Sequence, residues 1–196
     1  MNYVQLLHDM AFYAMYIAAG LAIFVIIERQ IFFWISGRDA RQLLAALEDP
    51  QGAPPAQMAA LLKRQSVAAN VVRQFAQAPQ GSGGSDDLAE AIYITNKEKV
   101  VARLWILDTV VTCAPLLGLV GTILGIIDTF AVLSSSGISD PAGVSRGIGT
   151  ALYATALGIS IALGGLLFYN FYRESADRLS DRLKVLLLRA ALSKKA

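Results

Sequence analysis

The chain has 196 residues, of which 55% are hydrophobic and only 16% charged, and its formal net charge is +2. Because an ordinary soluble domain carries about 25% charged residues, this composition excludes that class and predicts an integral membrane protein. His8 and Cys113 are the only histidine and cysteine, too few for a His/Cys zinc site or a Ser-His-Asp triad, so we predict no enzyme, no metal site and no other cofactor.

Three stretches of the chain are long and apolar enough to cross a membrane, which takes about 20 mainly apolar residues. The first covers residues 10–27 and continues past a charged pair to residue 35. The second covers residues 104–133, and the third, residues 148–172, contains no charged residue. A soluble helix would keep a polar stripe, so we predict an all-α integral membrane protein with three transmembrane helices.

Lysine and arginine are distributed unevenly along the chain. Residues 38–103 hold eight, residues 173–195 hold seven and residues 1–27 hold none. Cytoplasmic segments next to membrane spans retain such residues, so we predict a bacterial inner-membrane protein with a periplasmic N-terminus and a cytoplasmic C-terminus. The first span lacks the positive flank of a signal peptide and is expected to stay attached. No basic cluster is interleaved with aromatics, so nucleic acid is not an expected partner.

The segment between the first two spans, residues 37–103, has the pattern of cytoplasmic helices. Leucines at helical spacing precede a proline-containing break at residues 50–55. An amphipathic helix is predicted over residues 56–78, followed by a glycine- and serine-rich loop at residues 79–85.

The second and third spans are predicted to extend into a cytoplasmic helical stalk. No glycine or proline occurs from residue 86 until Pro115, which predicts one helix over residues 86–133. Leucines continue the third helix into the tail in the same way. The predicted divisions are the N-terminal end with the first span (1–36), the cytoplasmic region (37–103), the second span (104–133), a periplasmic loop (134–147), the third span (148–172) and a cytoplasmic C-terminal helix (173–196).

Polar groups share one side of the second span. At 100° per residue, about one third of the helix surface holds Asp108, Thr112, Leu119, Thr122, Ile126 and Thr129. Polar groups at membrane depth usually face a protein interior or a water-filled path, so this side is predicted to line such a path. Two alternatives stay open: each threonine could bond only to its own helix backbone, and Asp108 could be an interfacial residue near Arg103.

Small residues line a second strip on each of these helices. On the second span the strip consists of Ala114, Gly118, Gly121 and Gly125. On the third span Gly147 and Gly165 bracket Ala151, Ala154, Gly158 and Ala162, while Thr150 and Thr155 flank the strip. Small residues at this spacing let helix backbones approach closely in lipid, so these strips are predicted to be packing faces.

Two further residues of the second span carry expectations of their own. Asp128 points away from the polar side near the outer boundary, where we expect it to be exposed to solvent. Cys113 lies in an apolar run, where a buried cysteine usually behaves as a small hydrophobe. Neither residue is assigned a function.

The second and third spans resemble one known family. The run APLLGLVGTILGIIDTF over residues 114–130 is similar to the second-span signature of the MotA/TolQ/ExbB proton-channel family. The run GIGTALYATALG over residues 147–158, followed by Tyr169 and Asn170, is similar to the third-span segment of the same family. The resemblance is nearest to ExbB.

The resemblance implies a function and a set of partners. It implies a homopentamer around a pore that holds two single-span ExbD- or TolR-like subunits, with a TonB- or TolA-like transmitter, all embedded in membrane lipids. Thr122 and Thr155 match the family's two pore threonines, and Thr112, Asp108 and Thr150 are predicted to join them along the proton pathway. An ExbB-like role in TonB-dependent outer-membrane transport is predicted, with a TolQ-like role in envelope maintenance as the alternative.

The sequence also departs from the family pattern. Thr150 stands where ExbB and TolQ usually carry a glutamate, and the usual proline is replaced within residues 163–165. A carboxylate step in the family's mechanism is therefore in question here. A non-conducting membrane scaffold and a sodium-driven motor remain rival hypotheses.

Overall fold

The computed structural model describes residues 3–48, 55–77, 85–136 and 141–195, and within these ranges its regular elements are all α-helices. They are α1 (Tyr3–Glu48), α2 (Pro55–Leu62), α3 (Val67–Gln77), α4 (Ser85–Val101), α5 (Leu104–Ser136) and α6 (Pro141–Lys195). The predicted all-α fold is confirmed. The predicted break at residues 50–55 and loop at residues 79–85 lie, apart from the first residues of α2 and α4, outside the described part of the chain.

The three predicted membrane spans are confirmed as helices long and apolar enough to cross a bilayer. The helical segments that meet this test are Leu6–Leu47, Asp87–Ser134 and Pro141–Ala191. Only 28%, 28% and 22% of their most apolar windows is buried inside the chain. Apolar surface exposed on this scale marks contact with a membrane or with other protein subunits.

The first of two compact units comprises Met1–Ile26 and Arg103–Asn170. Its core consists mostly of small side chains, and each helix contributes them at helical spacing. The buried residues include Ala11, Met15, Ala22 and Val25 of α1, Leu107, Val110 and Ala114 of α5, and Ala151, Ala154 and Ala162 of α6. Small core residues bring the three helix backbones close together.

The second unit comprises Ile27–Ala102 and Phe171–Ala196. The tail leucines continue α6 as predicted, and Leu179, Leu183, Leu186 and Leu187 are buried in this unit. Tyr172 is fully buried and stacks on Phe33, with ring centroids 5.8 Å apart. A leucine stripe with aromatic contacts is the usual core of a helical bundle.

Buried charges in the second unit are paired. The Arg29 guanidinium lies 2.9 Å from the Glu28 carboxylate, donates to the carbonyl of Val100 at 3.3 Å and sits 4.8 Å from the centre of the Phe32 ring. Because burying an unpaired charge is costly, these contacts allow Arg29 to remain buried. They also link α1 to α4.

The prediction of one amphipathic helix over residues 56–78 is wrong. The structure has two helices, α2 and α3, separated by a turn at residues 63–66. The Ser66 hydroxyl accepts a hydrogen bond from the Ala69 backbone N–H at 3.3 Å, which satisfies one of the donors that a helix start leaves free. A serine N-cap therefore starts α3 without any glycine or proline.

Replacing Ser66 with alanine is expected to destabilise the protein by about 1 kcal/mol, the usual cost of losing an N-cap hydroxyl. Thr95→Ala provides the control, since the exposed Thr95 hydroxyl bonds only within its own helix, to Ala91 at 3.0 Å, and such changes usually cost less than about 0.5 kcal/mol. Thermal unfolding in detergent, followed by helix content, would measure both. Equal melting temperatures for the two variants would contradict the capping role.

The prediction of one unbroken helix over residues 86–133 is wrong at Ala102 and Arg103. Helix α4 ends at Val101 and α5 begins at Leu104. Arg103 has φ of 65°, the left-handed conformation that commonly ends helices, though usually at glycine. The Ile106 backbone N–H then bonds to the Arg103 carbonyl at 3.1 Å, which starts the next helix.

Three boundary and exposure predictions also differ from the structure. Helix α5 runs on to Ser136 and α6 begins at Pro141, so helix occupies much of the predicted loop at residues 134–147. Proline fits the first turn of a helix because its missing N–H would be unpaired there. Cys113 is exposed rather than buried, because it lies about 100° around α5 from the buried Ala114. Asp128 is half-buried rather than exposed, because it lines a cavity in the first unit.

Candidate functional site in the membrane-spanning unit

The hydroxyl groups of Thr122 on α5 and Thr155 on α6 contact each other directly. Thr122 Oγ1 also lies 3.1 Å from the carbonyl oxygens of Gly118 and Ala151. Thr155 Oγ1 lies 3.2 Å from the same Gly118 carbonyl. Both side chains are partly buried, so the pair forms a small polar centre between two apolar helices.

The two hydroxyls have more acceptors within reach than they have protons. Each hydroxyl carries one proton and can also accept hydrogen bonds. Thr122 can donate to Gly118, to Ala151 or to Thr155, and Thr155 can donate to Gly118 or to Thr122. The direction of donation can therefore change without leaving a hydroxyl proton unpaired, which would be costly in a low-dielectric interior.

Small residues bring the two hydroxyls together. A Cβ atom added at Gly158 would lie 2.5 Å from the Ala114 carbonyl oxygen, and one added at Gly118 would lie 2.9 Å from that of Ala154. Such contacts are too short for real side chains, so α5 and α6 touch backbone to backbone here. The eight residues predicted to pack helices are all buried, namely Ala114, Gly118, Gly121, Gly125, Ala151, Ala154, Gly158 and Ala162.

The other predicted pathway residues do not join the Thr122–Thr155 pair within one chain. Asp108 and Thr112 are exposed, and the Thr112 hydroxyl donates to the Asp108 carbonyl at 3.0 Å. Thr150 is also exposed, and its hydroxyl donates to the Arg146 carbonyl at 3.0 Å. Asp108 and Thr112 lie on the outer surface of the chain, whereas the exposed Thr150 also lines a cavity in this unit.

A cavity of about 310 Å³ in the same unit contains residues that sequence reasoning did not select as a site. Its lining consists of His8, Gly125, Asp128, Thr129, Val132, Gly143, Val144, Arg146, Gly147 and Thr150. His8 comes from α1, whose position against α5 no local motif reveals. The sequence offers one signal, that His8 is the only histidine, and this signal does not indicate where in the fold the residue lies. Across the described ranges, no group of three or more His, Cys, Asp or Glu residues is placed to hold a metal ion.

Comparison with known families matches residues 62–185 to the MotA/TolQ/ExbB proton channel family. Residues of this chain are 38% identical over 86 positions to the biopolymer transport protein ExbB of Aquifex aeolicus, a match covering 43% of this chain and 58% of that protein. A putative biopolymer transport protein, ExbB-like 3 of Synechocystis, is 32% identical over 162 positions, covering 79% of this chain and 76% of the relative.

A relative with a different name also matches. The Tol-Pal system protein TolQ of Pseudomonas aeruginosa is 36% identical over 86 positions, covering 44% of this chain and 37% of that protein. The match thus spans 58% of the length of the Aquifex protein and 37% of the length of the Pseudomonas protein.

Proposed function

Because this chain belongs to the MotA/TolQ/ExbB proton channel family, we propose that it is a channel-forming subunit of an inner-membrane motor. The motor converts proton-motive force into mechanical work for TonB-dependent outer-membrane transport. Relatives named ExbB favour this role, while the TolQ relative keeps a role in envelope maintenance as the second candidate.

The contact between the Thr122 and Thr155 hydroxyls is the observation that carries this proposal. Neutral hydroxyls can pass hydrogen bonds along a path without trapping a charge. The pair has two carbonyl acceptors, those of Gly118 and Ala151, within 3.1 to 3.2 Å, so its hydrogen bonds can rearrange as a proton passes. It also joins the two helices that carry the family's signature runs.

The proposed assembly is a pentamer around two single-span ExbD- or TolR-like subunits, coupled to a TonB- or TolA-like transmitter. In it, the exposed side chains of Asp108, Thr112 and Thr150 face neighbouring subunits or the pore rather than lipid. The N-terminus is periplasmic, and residues 37–103 and 173–196 are cytoplasmic, as the lysine and arginine counts favour.

In the proposed mechanism, protons move down their gradient past Thr122 and Thr155 and protonate an aspartate on the partner's span. Protonation removes the charge of that carboxylate, which lowers the free-energy cost of moving the side chain through the membrane interior. The partner helix can then turn. Each proton that crosses 100 mV releases about 2.3 kcal/mol. Several protons per work step are therefore needed for a large conformational change.

Proton flux into liposomes tests the proposed function. The chain is reconstituted with its single-span partner, and an internal pH-sensitive dye reports acidification under an imposed pH gradient and membrane potential. We expect flux well above that of liposomes carrying the chain alone, with no dependence on sodium. Flux no greater than in empty liposomes would support the static scaffold, and flux that requires sodium would support the sodium motor; either result contradicts the proposal.

A further inference from the structure

The cavity that contains His8 is separate from the Thr122–Thr155 pair but belongs to the same compact unit. All three helices of that unit contribute to its wall: His8 comes from α1, Gly125 and Thr129 from α5, and Gly147 from α6. Its volume of about 310 Å³ exceeds the roughly 30 Å³ share of one liquid water molecule about tenfold. Because Asp128, Thr129 and Arg146 are among the residues that line it, the cavity can hold several waters.

The His8 ring is positioned by packing and leaves one nitrogen available. Nε2 is buried and has no hydrogen-bond partner in the described part of the chain. It lies 3.3 Å from the position that a Cβ atom would take at Gly125, so a side chain at that position would crowd the ring. The ring packs edge-on against Phe12 at 5.0 Å, and Phe12 in turn stacks on Tyr153.

Charged and titratable groups face His8 from each helix around it. Asp9 on α1 places its carboxylate 3.9 Å from His8 Nδ1. Asp128 on α5 and Arg146 on α6 line the cavity, and Tyr153 on α6 is reached through Phe12. Imidazole is the side chain that ordinarily exchanges a proton near neutral pH, so the cavity combines water, charge and a proton-exchanging ring.

Thr129 lies in the wall of this cavity and on the same polar side of α5 as Thr122. Its buried hydroxyl donates to the Gly125 carbonyl at 2.7 Å. Thr129 follows Thr122 by seven residues on α5, two helical turns and about 10 Å along the axis. Transfer of a proton from the cavity to the threonine pair therefore has to cover about 10 Å along this side of α5.

We propose that His8 is a proton-loading residue at the entrance of the path. This inference rests on the proposed channel function and adds the residue that delivers protons to the channel. The His8 imidazole accepts a proton from hydronium in the cavity and leaves a water molecule behind. The imidazolium then gives one proton to water on the Thr129 side and returns to its neutral form, so that one proton is transferred and no other reactant is consumed.

Replacing His8 with glutamine tests this role, because glutamine keeps a polar group of similar reach but cannot take up a proton near neutral pH. We expect flux at neutral outer pH to fall about tenfold, less than the roughly 10²–10⁴ that a positioned proton-transfer group contributes in enzymes, since water can still reach the path. We also expect the flux of this variant to depend less on outer pH than that of the wild type, because glutamine takes up no proton. Tyr13→Phe, an exposed position on the same helix, should leave both properties unchanged.

A second measurement follows His8 itself, independent of flux. Diethylpyrocarbonate adds a carbethoxy group to neutral imidazole, and mass spectrometry of the peptide containing the only histidine of this chain reports the modification. In the reconstituted complex we expect modification by reagent added on the N-terminal side, at a rate that rises with pH. Modified complexes should show the same reduced flux as His8→Gln.

The outcomes separate the two proposals. If His8→Gln conducts like the wild type with the same pH profile, or if His8 is not modified, the loading role is wrong while the channel function stands. If the wild type itself conducts no protons, the channel function fails, and the loading role fails with it whatever the labelling shows.

Discussion

The double variant Thr122→Val, Thr155→Val is expected to lose proton flux by about 30-fold or more while keeping the fold. Valine has nearly the shape of threonine but neither donates nor accepts hydrogen bonds. Removing a hydrogen-bonding partner from a buried site costs about 1–3 kcal/mol, so two losses on one path raise the barrier by about 2–6 kcal/mol. A rise of 1.36 kcal/mol slows a step tenfold. Flux into liposomes at a fixed pH gradient measures the effect.

Thr109→Val is the matched control for that variant. Thr109 is also on α5, but it is exposed and its hydroxyl donates to the Trp105 carbonyl at 2.8 Å. Removing this hydroxyl should leave proton flux unchanged, because it contacts neither the pair nor the cavity. If Thr109→Val and the double variant reduce flux equally, the loss reflects general damage to α5 rather than a proton path.

Replacing Gly158 with alanine is expected to destabilise the helix pair by about 1–3 kcal/mol, the usual cost of overpacking, and to reduce assembly. The added Cβ would lie 2.5 Å from the Ala114 carbonyl oxygen and 3.1 Å from the Gly118 Cα. Both neighbours are backbone atoms, which cannot rotate away, so α5 and α6 must separate. Thermal unfolding in detergent and the yield of assembled complex on size-exclusion chromatography would measure these effects.

Gly149→Ala makes the same chemical change on the same helix and should have the opposite sign. A Cβ at Gly149 meets nothing within 4 Å in the chain, and replacing glycine with alanine inside a helix favours the helix by up to about 1 kcal/mol. We therefore expect a melting temperature at or above that of the wild type. If Gly158→Ala is as stable as Gly149→Ala, the backbone contact between α5 and α6 does not exist as described.

The spans could be predicted, and Thr122 and Thr155 could be selected as candidate pathway residues, because the signals are local and strong. Uncharged runs of about 20 residues have few alternatives to a membrane span. The polar side of the second span includes Thr122, and the resemblance to the MotA/TolQ/ExbB family independently selected Thr122 and Thr155. The structure brings these two hydroxyls into contact, whereas it leaves Asp108, Thr112 and Thr150 on the surface of the chain.

Helix breaks were harder to predict because neither contains glycine or proline. At residues 63–66 the α2–α3 turn is closed by the Ser66 cap, yet a serine inside a long amphipathic pattern is also compatible with continuous helix. At Arg103 the backbone is left-handed, a conformation for which arginine has no intrinsic preference. Neither a serine in an amphipathic run nor an arginine is a strong enough local signal to predict a helix break.

The His8 cavity could not be predicted because it depends on the packing of three helices. Residues 8, 125, 129 and 147 come together only once α1 is placed against α5 and α6. The sequence indicates which side of α5 is polar, but it does not indicate how far α1 is shifted along α5. The same reason explains Asp128, whose side chain faces this cavity instead of solvent.

Comparing serine with valine at positions 122 and 155 in one flux assay tests the central claim most directly. Serine lacks the threonine methyl group but keeps the hydroxyl, whereas valine has a methyl group in place of the hydroxyl. We predict that Thr122→Ser, Thr155→Ser conducts protons at close to the wild-type rate while the valine pair does not. Equal flux through the serine and valine pairs would contradict a proton path through these hydroxyls.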